Sequence, residues 1–121
     1  MPIFVIQKHD AKNLHYDFRL EINKVLKSWA IPKKPPLKKG IKRLAIQVAD
    51  HDLSYAKFEG TIPEGDYGAG SVEIWDKGTY QMISKERNKL IFNLKGEKLK
   101  GEYVLLKFDK AGTNNWLFFK K

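Results

Sequence analysis

The chain has 121 residues, of which 42% are hydrophobic and 31% are charged, so it is predicted to fold as one soluble domain rather than to remain disordered. Lysine and arginine total 23 against 14 acidic residues, and the formal charge of +9 favours an anionic partner, nucleic acid before a membrane surface. The absence of cysteine excludes disulfides, zinc–cysteine sites and thiol catalysis, and apolar runs only a few residues long exclude a membrane-spanning segment.

Predicted β-strands follow one another along most of the chain, because polar and apolar residues alternate and helical periodicity is almost absent. The strands are predicted over residues 3–9, 14–22, 25–31, 43–50, 71–76, 79–84, 90–95, 102–108 and 115–120. Turn-forming residues separate most of them, and Asp76-Lys77-Gly78 predicts a turn between the fifth and the sixth. This pattern predicts an all-β barrel or sandwich, and we favour a compact single-domain antiparallel β-barrel because closure removes exposed sheet edges.

Two segments interrupt the strand pattern. Residues 33–42 are rich in lysine and proline, and the prolines exclude a central strand there. This segment is interpreted either as a solvated surface loop or as a basic arm that binds a nucleic-acid backbone. Residues 59–70 contain four glycines and predict a tight, irregular loop. That loop lacks Gly-Lys-Ser/Thr and opens no helix, so it is not predicted to bind a nucleoside triphosphate.

The predicted strand 14–22 has one fully ionisable face. Its even positions are apolar or aromatic, whereas His15, Asp17, Arg19 and Glu21 occupy the odd positions. Successive side chains of a strand point to opposite faces, so these four form one column. A hairpin with the strand 3–9 places His9 opposite His15, because a slip of one residue would put apolar side chains on the polar face.

In this hairpin, His9, His15 and Asp17 lie close enough to bind one cation. Opposed residues have Cβ atoms about 5 Å apart, and neighbours on one face of a strand are about 6.6 Å apart. Two imidazoles and a carboxylate leave positions open for water and substrate, and a set without thiolate suits manganese, iron, cobalt or zinc. Polar side chains on a strand face are more often solvated than ligating, so the pattern alone leaves both interpretations open.

Two further cationic side chains are candidates for binding phosphate. Arg19 continues the metal face and can donate two parallel hydrogen bonds to phosphate oxygens, an arrangement typical of phosphoryl transfer beside a metal. His51 stands between Asp50 and Asp52, which predicts a protonated imidazole that donates to phosphate; a surface-loop histidine is the alternative. Arg43 and His51 are eight positions apart, so they would lie on the same face of a straight strand. Eight residues of straight strand span about 26 Å, however, so only a bend or bulge brings both to one site.

A set of short motifs runs through essentially the whole chain: His9-Asp10-Ala11, Leu14–Glu21, Ser28–Lys33, Asp50-His51 with Tyr55, Phe58–Gly70 and Asn115-Trp116-Leu117. Together they closely resemble the 3′-phosphoesterase domain of bacterial DNA ligase D and its free-standing relatives. The resemblance implies a single 3′-phosphoesterase domain over residues 1–121, a compact β-barrel enzyme that heals DNA 3′ ends for end joining. It implies removal of a 3′-terminal ribonucleoside, leaving a 3′-phosphate, and then removal of that phosphate to leave a 3′-hydroxyl.

Matching the motifs position by position implies a role for each site residue. His9, His15 and Asp17 take the metal positions, and Arg19 and His51 take phosphate-contact positions. Supporting active-site positions are matched by Tyr55 and Lys33 and, more loosely, by Arg43. The implied cofactor is a divalent metal, Mn²⁺ first, with Zn²⁺ or Co²⁺ as alternatives.

The resemblance also implies a substrate and partners. The substrate is a DNA primer–template that ends in a 3′-ribonucleotide or a 3′-phosphate. We expect separate partner chains, namely an end-joining ligase, a polymerase or Ku. No membrane is involved. Because the start of the sequence is not like a signal peptide, we expect a cytoplasmic protein.

A non-catalytic basic β-barrel that binds nucleic acid accounts equally well for the charge, but Asp17 and Glu21 would repel phosphate unless a metal intervenes. A hydrolase of small phosphate esters is a further alternative, which the high positive charge disfavours.

Overall fold

β-Strands make up most of the computed structural model, which describes residues 2–66, 69–108 and 112–121. The strands are β1 (Ile3–Asp10), β2 (Leu14–Ile22), β3 (Val25–Ile31), β4 (Lys42–Asp52), β5 (Gly60–Ile62), β6 (Gly70–Lys85), β7 (Lys89–Lys95), β8 (Lys100–Lys107) and β9 (Asn115–Lys120). A short 3₁₀ helix, Leu53–Lys57, lies between β4 and β5. Within the described ranges, no helix is long and apolar enough to cross a membrane.

Eight of these strands close into an antiparallel barrel. The strand order is β1-β2-β3-β4-β9-β8-β7-β6, and β6 pairs back onto β1. The short strand β5 pairs with the first residues of β6 outside this ring. Closure satisfies the backbone groups that an open sheet would expose at its edges. The all-β antiparallel barrel predicted from the alternating pattern is therefore confirmed.

The apolar face of each strand fills the interior of the barrel. Phe18 of β2 lies at the centre, with its ring 4.7 Å from that of Phe118 and 5.8 Å from that of Phe92. Phe4 of β1 pairs with Leu20 of β2, and both side chains are buried in the same core. Because side chains alternate along a strand, His9 of β1 and the odd-numbered ionisable residues of β2 lie on the outer face of the barrel wall.

The predicted register of the first hairpin is confirmed. His9 lies opposite His15, Gln7 opposite Asp17, and Val5 opposite Arg19. A slip of one residue would move the apolar set of one strand to the outside of the barrel, so this pairing keeps the apolar side chains of both strands inside. It brings the ionisable side chains of the two strands together on one face.

The predicted turn at Asp76-Lys77-Gly78 is wrong: residues 70–85 form the single long strand β6. This strand pairs with β1 through Lys77 and Gly78 and then with β7 from Thr79 onward, so it serves both neighbours without turning. A Cβ atom at Gly78 would collide with the carbonyl oxygen of Lys95. Gly78 is therefore needed for a close approach of two backbones and not for a turn.

Asp76 stabilises a turn that lies elsewhere in the chain. Its buried carboxylate accepts hydrogen bonds from the backbone amides of residues 97, 98 and 99, at 2.8, 3.2 and 2.8 Å. These residues connect β7 to β8, so one acidic side chain satisfies most of the donors of a neighbouring connection. The sequence indicates the turn-forming character of Asp76 but not the segment that it stabilises.

Residues 53–62 cover part of the outer face of β1, β2 and β3. Leu53 and Tyr55 of the 3₁₀ helix pack on a small apolar cluster formed by Val5, Leu26 and Ala56. The sequence pattern predicts only an irregular loop from residue 59, and residues 67–68 of that loop lie outside the described residues. The covering segment buries one side of the ionisable column and leaves the other side open.

Candidate active site

Three side chains of the β1–β2 hairpin form a candidate metal centre. His9, His15 and Asp17 each offer one ligand atom, and these atoms all lie within 4.8 Å of one another. His9 Nδ1 is 3.5 Å from Asp17 Oδ2, and His15 Nε2 is 3.3 Å from Asp17 Oδ1. The predicted convergence of these residues is thus present in the structure, on the outer face of the barrel.

The surroundings keep the Asp17 carboxylate ionised. Burial alone would raise its pKa, but the hydrogen bond from His15 and the positive charge of Arg19 outweigh that effect and hold the pKa of Asp17 below its usual 3.8. The same hydrogen bond raises the pKa of His15 above 6.5, against the opposing effect of burial. An ionised carboxylate between two imidazoles is an arrangement in which a divalent cation can take the place of the imidazole protons.

The backbone orients one of these imidazoles. His15 Nδ1 lies 3.1 Å from the carbonyl oxygen of Asn13, which leaves Nε2 directed at Asp17. When Nδ1 carries the proton, it donates to this carbonyl and Nε2 keeps a lone pair for a metal. Asn13 therefore supplies the outer contact that histidine ligands commonly have.

Arg19 is held rigidly beside the metal centre. The residue is 3% exposed; Nε donates to Gln7 Oε1 at 2.6 Å, and Nη1 donates to Ser28 Oγ at 2.7 Å. The guanidinium carbon also lies 4.9 Å from the centre of the Tyr55 ring. The remaining nitrogen, Nη2, is 3.5 Å from Asp17 Oδ2. Two nitrogens of Arg19 thus fix its position, and the third is directed at Asp17 of the candidate metal centre.

Gln7 and Ser28 are site residues that sequence reasoning missed. Both are fully buried, and Gln7 Nε2 also donates to the backbone carbonyls of Tyr55 and Phe58 at 2.8 and 3.2 Å. Gln7 therefore ties Arg19 to the segment that carries the 3₁₀ helix. One signal was available: Gln7 is an amide side chain at the position opposite Asp17, on the ionisable face.

A bulge in β4 brings His51 to the same side of the sheet. Between the pairs Ser28–Val48 and Leu26–His51, β4 contains one more residue than β3. The extra residue places Val48 and His51 on one face although they are three positions apart in sequence. The His51 ring then stacks on Tyr55, with 4.6 Å between ring centres and 28° between ring planes.

The predicted protonation of His51 is corrected by its surroundings. Burial and the positive charge of Arg19 lower its pKa below 6.5, and the nearby carboxylates of Asp17, Asp52 and Asp50 only partly oppose this. At neutral pH the imidazole is therefore uncharged. In this state the ring can still donate one N–H to a phosphate oxygen.

These groups line one open cleft of about 560 Å³. The metal candidates, Arg19, His51, Tyr55 and two residues of the β1–β2 turn contribute polar groups, while short or branched apolar side chains form the rest of the wall. The lining residues are His9, Ala11, Lys12, Asn13, His15, Asp17, Arg19, Ala30, Val48, Ala49, His51, Tyr55 and Ile62. The cleft therefore combines a candidate metal centre, a fixed guanidinium and a histidine–tyrosine pair.

Two of the predicted site residues do not reach the cleft. Lys33 is exposed in the connection between β3 and β4, and it is absent from the cleft lining. Arg43 lies five positions before Val48, on the opposite face of β4, and its Nε donates to the carbonyl of Lys34 at 2.8 Å. The β4 bulge lies beyond Arg43, so it aligns His51 with Val48 and does not bring Arg43 to the cleft.

The chain is similar to known proteins over most of its length. Residues 7–107 match the family described as the DNA ligase D 3′-phosphoesterase domain. The chain is 49% identical, over 123 residues and 98% of its length, to the multifunctional non-homologous end joining protein LigD of Pseudomonas aeruginosa, of which the match covers 15%. It is likewise 49% identical over 118 residues, 94% of its length, to the multifunctional non-homologous end joining DNA repair protein LigD of Mycobacterium tuberculosis, again covering 15%.

A third relative shows the same partial coverage. The multifunctional non-homologous end joining protein LigD of Mycolicibacterium smegmatis is 42% identical over 125 residues, which are 94% of this chain and 16% of that protein. The chain thus corresponds to about one-sixth of the length of its curated relatives. Because the family match spans most of the strands and every residue that lines the cleft, this chain belongs to the DNA ligase D 3′-phosphoesterase domain family.

Proposed function

We propose that this chain is a metal-dependent phosphoesterase that heals the 3′ ends of DNA during end joining. It would remove a 3′-terminal ribonucleoside and then the remaining 3′-phosphate, leaving a 3′-hydroxyl. One observation carries the proposal: three metal-ligand candidates and a fixed guanidinium converge on a single open cleft. Family membership supports the class of bond that is cleaved.

The donor set fits a divalent cation. Two imidazole nitrogens and one carboxylate oxygen, all within 4.8 Å of one another, match the ligands of Mn²⁺, Zn²⁺ or Co²⁺, and we propose Mn²⁺. His9, His15 and Asp17 would hold it and leave positions open toward the cleft. When bound, such a cation supplies Lewis-acid polarisation of the phosphate and a lowered pKa for attacking water.

The other cleft residues act on the phosphate. Arg19 is fixed by Gln7 and Ser28, so its Nη2 can bind a phosphate oxygen without reorganisation of the side chain. His51 is uncharged and donates an N–H to a second oxygen. Burial raises the pKa of Tyr55, so its hydroxyl stays protonated and can donate as well. These three donors would orient the ester for attack and would stabilise the negative charge that develops on its oxygens.

The supporting roles of Lys33 and Arg43 remain predictions from the resemblance, because neither residue lines the cleft. A 3′-hydroxyl is the end that a ligase or a polymerase requires. We therefore propose that an end-joining ligase, a polymerase or Ku acts together with this chain on the same DNA end.

A direct assay tests this function. An end-labelled primer–template that carries a 3′-phosphate or a single 3′-ribonucleotide is incubated with the protein in EDTA or in Mg²⁺, Mn²⁺ or Zn²⁺. We expect conversion to the 3′-hydroxyl product with Mn²⁺ and none in EDTA, while the same duplex with only a 5′-phosphate stays unchanged. Tight binding of the duplex with no product under any metal condition would instead support the non-catalytic binding module.

A further inference from the structure

The lysine- and proline-rich segment, residues 33–42, is an anchored loop and not a free arm. Pro35 and Pro36 are buried against the barrel. The hydroxyl of Tyr103, in the barrel core, donates to the carbonyl of Pro36 at 2.8 Å, and Arg43 Nε donates to the carbonyl of Lys34 at 2.8 Å. These contacts hold the backbone of the loop, so its lysines project from fixed positions.

The lysines of this loop carry charge that the protein does not neutralise. Lys33, Lys34, Lys38 and Lys39 are all exposed. In the part of the chain that the structure describes, none of the four is ion-paired with a carboxylate. The sequence from residue 27 to residue 49 contains no acidic residue at all. The loop therefore presents a concentrated positive potential to solvent.

The loop and the cleft open at the same end of the barrel. The last residue of β3, Ile31, pairs with Tyr16 near the start of β2, so the loop leaves the sheet beside the β1–β2 turn. That turn, residues 11–13, lines the cleft. The other connections at this end carry both signs of charge: Lys12 lies in the β1–β2 turn, Glu97 and Lys98 lie in the β7–β8 connection, and Glu64 and Asp66 follow β5. The positive charge is thus concentrated on the 33–42 side of the cleft.

We propose that the 33–42 loop binds the phosphate backbone of the duplex that precedes the 3′ end held in the cleft. This inference rests on the proposed function, since it assumes that the cleft receives a DNA terminus. The 33–42 loop itself contains no aromatic residue, so it offers no platform on which unpaired bases could stack. Anchored lysines without such a platform suit the regular backbone of a duplex, bound without reading base sequence.

The test uses two matched triple variants of the full chain. The loop variant changes Lys34, Lys38 and Lys39 to Ala; Lys33 is left unchanged because it is a predicted site residue. The control variant changes Lys24, Lys85 and Lys89 to Ala, which removes the same charge from exposed positions at the opposite end of the barrel. Affinity for a primer–template duplex ending in a 3′-hydroxyl is measured by fluorescence anisotropy over a series of KCl concentrations from about 50 to about 200 mM. EDTA is present, so that binding is measured without cleavage of the DNA.

We expect the slope of log affinity against log salt to flatten by about 0.9 for each phosphate that the loop variant no longer neutralises, up to about 2.7 in total, and to stay unchanged for the control variant. The weakening should be the same for duplexes of different sequence. Equal slopes for the wild-type protein and the loop variant would overturn the proposal, as would a change seen only with the single-stranded primer or an equal change in the control.

A second measurement separates this inference from the proposed function. Single-turnover phosphate release at saturating DNA should be unchanged in the loop variant, because none of its three lysines lines the cleft. Release that falls at saturation would show that the loop acts in the chemistry and would overturn its assignment to binding. If the wild-type protein releases no phosphate with any metal, the proposed function fails, whereas the anisotropy result still decides whether the loop binds duplex DNA.

Discussion

Replacing Arg19 with Lys tests whether the geometry of the guanidinium, and not only its charge, is needed. Arg19 satisfies two fully buried acceptors, Gln7 Oε1 and Ser28 Oγ, and keeps Nη2 for the cleft. A lysine ammonium has three N–H donors, but all lie on one nitrogen, so they cannot reach both acceptors and the cleft as the three nitrogens of the guanidinium do. Leaving a buried polar group unsatisfied costs about 1–3 kcal/mol, and this cost applies to Gln7 Oε1, since Ser28 Oγ keeps its own hydrogen bond to the carbonyl of Leu26 at 3.1 Å.

This free energy is divided between folding and catalysis, and both can be measured. If the lysine turns toward Gln7 and Ser28, the phosphate has no donor at this position in the transition state, and a penalty of about 2 kcal/mol lowers kcat/KM about 30-fold. If the lysine faces the cleft, the free energy of unfolding falls instead. Single-turnover release of 3′-phosphate and urea unfolding report the two parts, and Arg87→Lys, at an exposed position, serves as the control. Unchanged turnover and unchanged stability in Arg19→Lys would refute the role given to the guanidinium.

Three further predictions concern ionisation and stability. In an NMR titration of the metal-free protein, His15 should titrate above 6.5 and His51 below 6.5, and the reverse order would contradict the described electrostatics. Asp76→Ala should lower the free energy of unfolding in urea by about 3 kcal/mol or more, because the amides of residues 97–99 no longer have their buried acceptor; a decrease under about 1 kcal/mol would show that water replaces it. Burial raises the pKa of Tyr80 to about 12, whereas the phenol of the unfolded chain has a pKa near 10 and loses its proton first. The free energy of unfolding should therefore fall as the pH rises from about 10 to about 12. The free energy of unfolding of Tyr80→Phe should fall less over that range, and an identical fall would exclude this tyrosine as a cause.

The first hairpin could be predicted in detail because its sequence allows one register. In β2, apolar residues occupy the even positions and ionisable residues the odd ones, and Phe4 and Ile6 of β1 continue the apolar set, so pairing Phe4 with Leu20 also pairs His9 with His15. The three metal-ligand candidates follow from that register and from the alternation of side chains. This part of the site depends on contacts that are local in sequence.

The remainder of the site depends on contacts between distant segments. The covering segment 53–62 lies on the hairpin through Gln7, which donates to carbonyls 48 and 51 residues further along the chain. The sequence around His51 indicates only its aspartate neighbours, whereas its lowered pKa follows first from burial and then from Arg19. Neither effect has a local signature in the sequence.

The error at Asp76-Lys77-Gly78 has the same physical origin. Asp and Gly are turn formers, but here Asp76 caps another connection and Gly78 makes room for the backbone at Lys95. Both roles are set by neighbouring strands, so propensity indicates the wrong element. The 33–42 loop is a similar case, since its composition leaves a solvated loop and a binding arm equally open, and only its anchoring contacts fix the positions of its lysines.

The central claim is that His9, His15 and Asp17 hold a divalent cation that the reaction requires. The most direct test is phosphate release from a 3′-phosphorylated primer–template with Mn²⁺, measured for Asp17→Asn and for the control Glu73→Gln, which neutralises an exposed acid outside the cleft. Asn preserves the shape of the side chain but removes its charge. Loss of an outer contact of a metal ligand alone lowers activity by about 10–100-fold. We therefore expect the rate of phosphate release to fall by about 100-fold or more in Asp17→Asn and to stay at the wild-type value in Glu73→Gln. Full release by Asp17→Asn, or by wild-type protein freed of metal with EDTA, would contradict the claim.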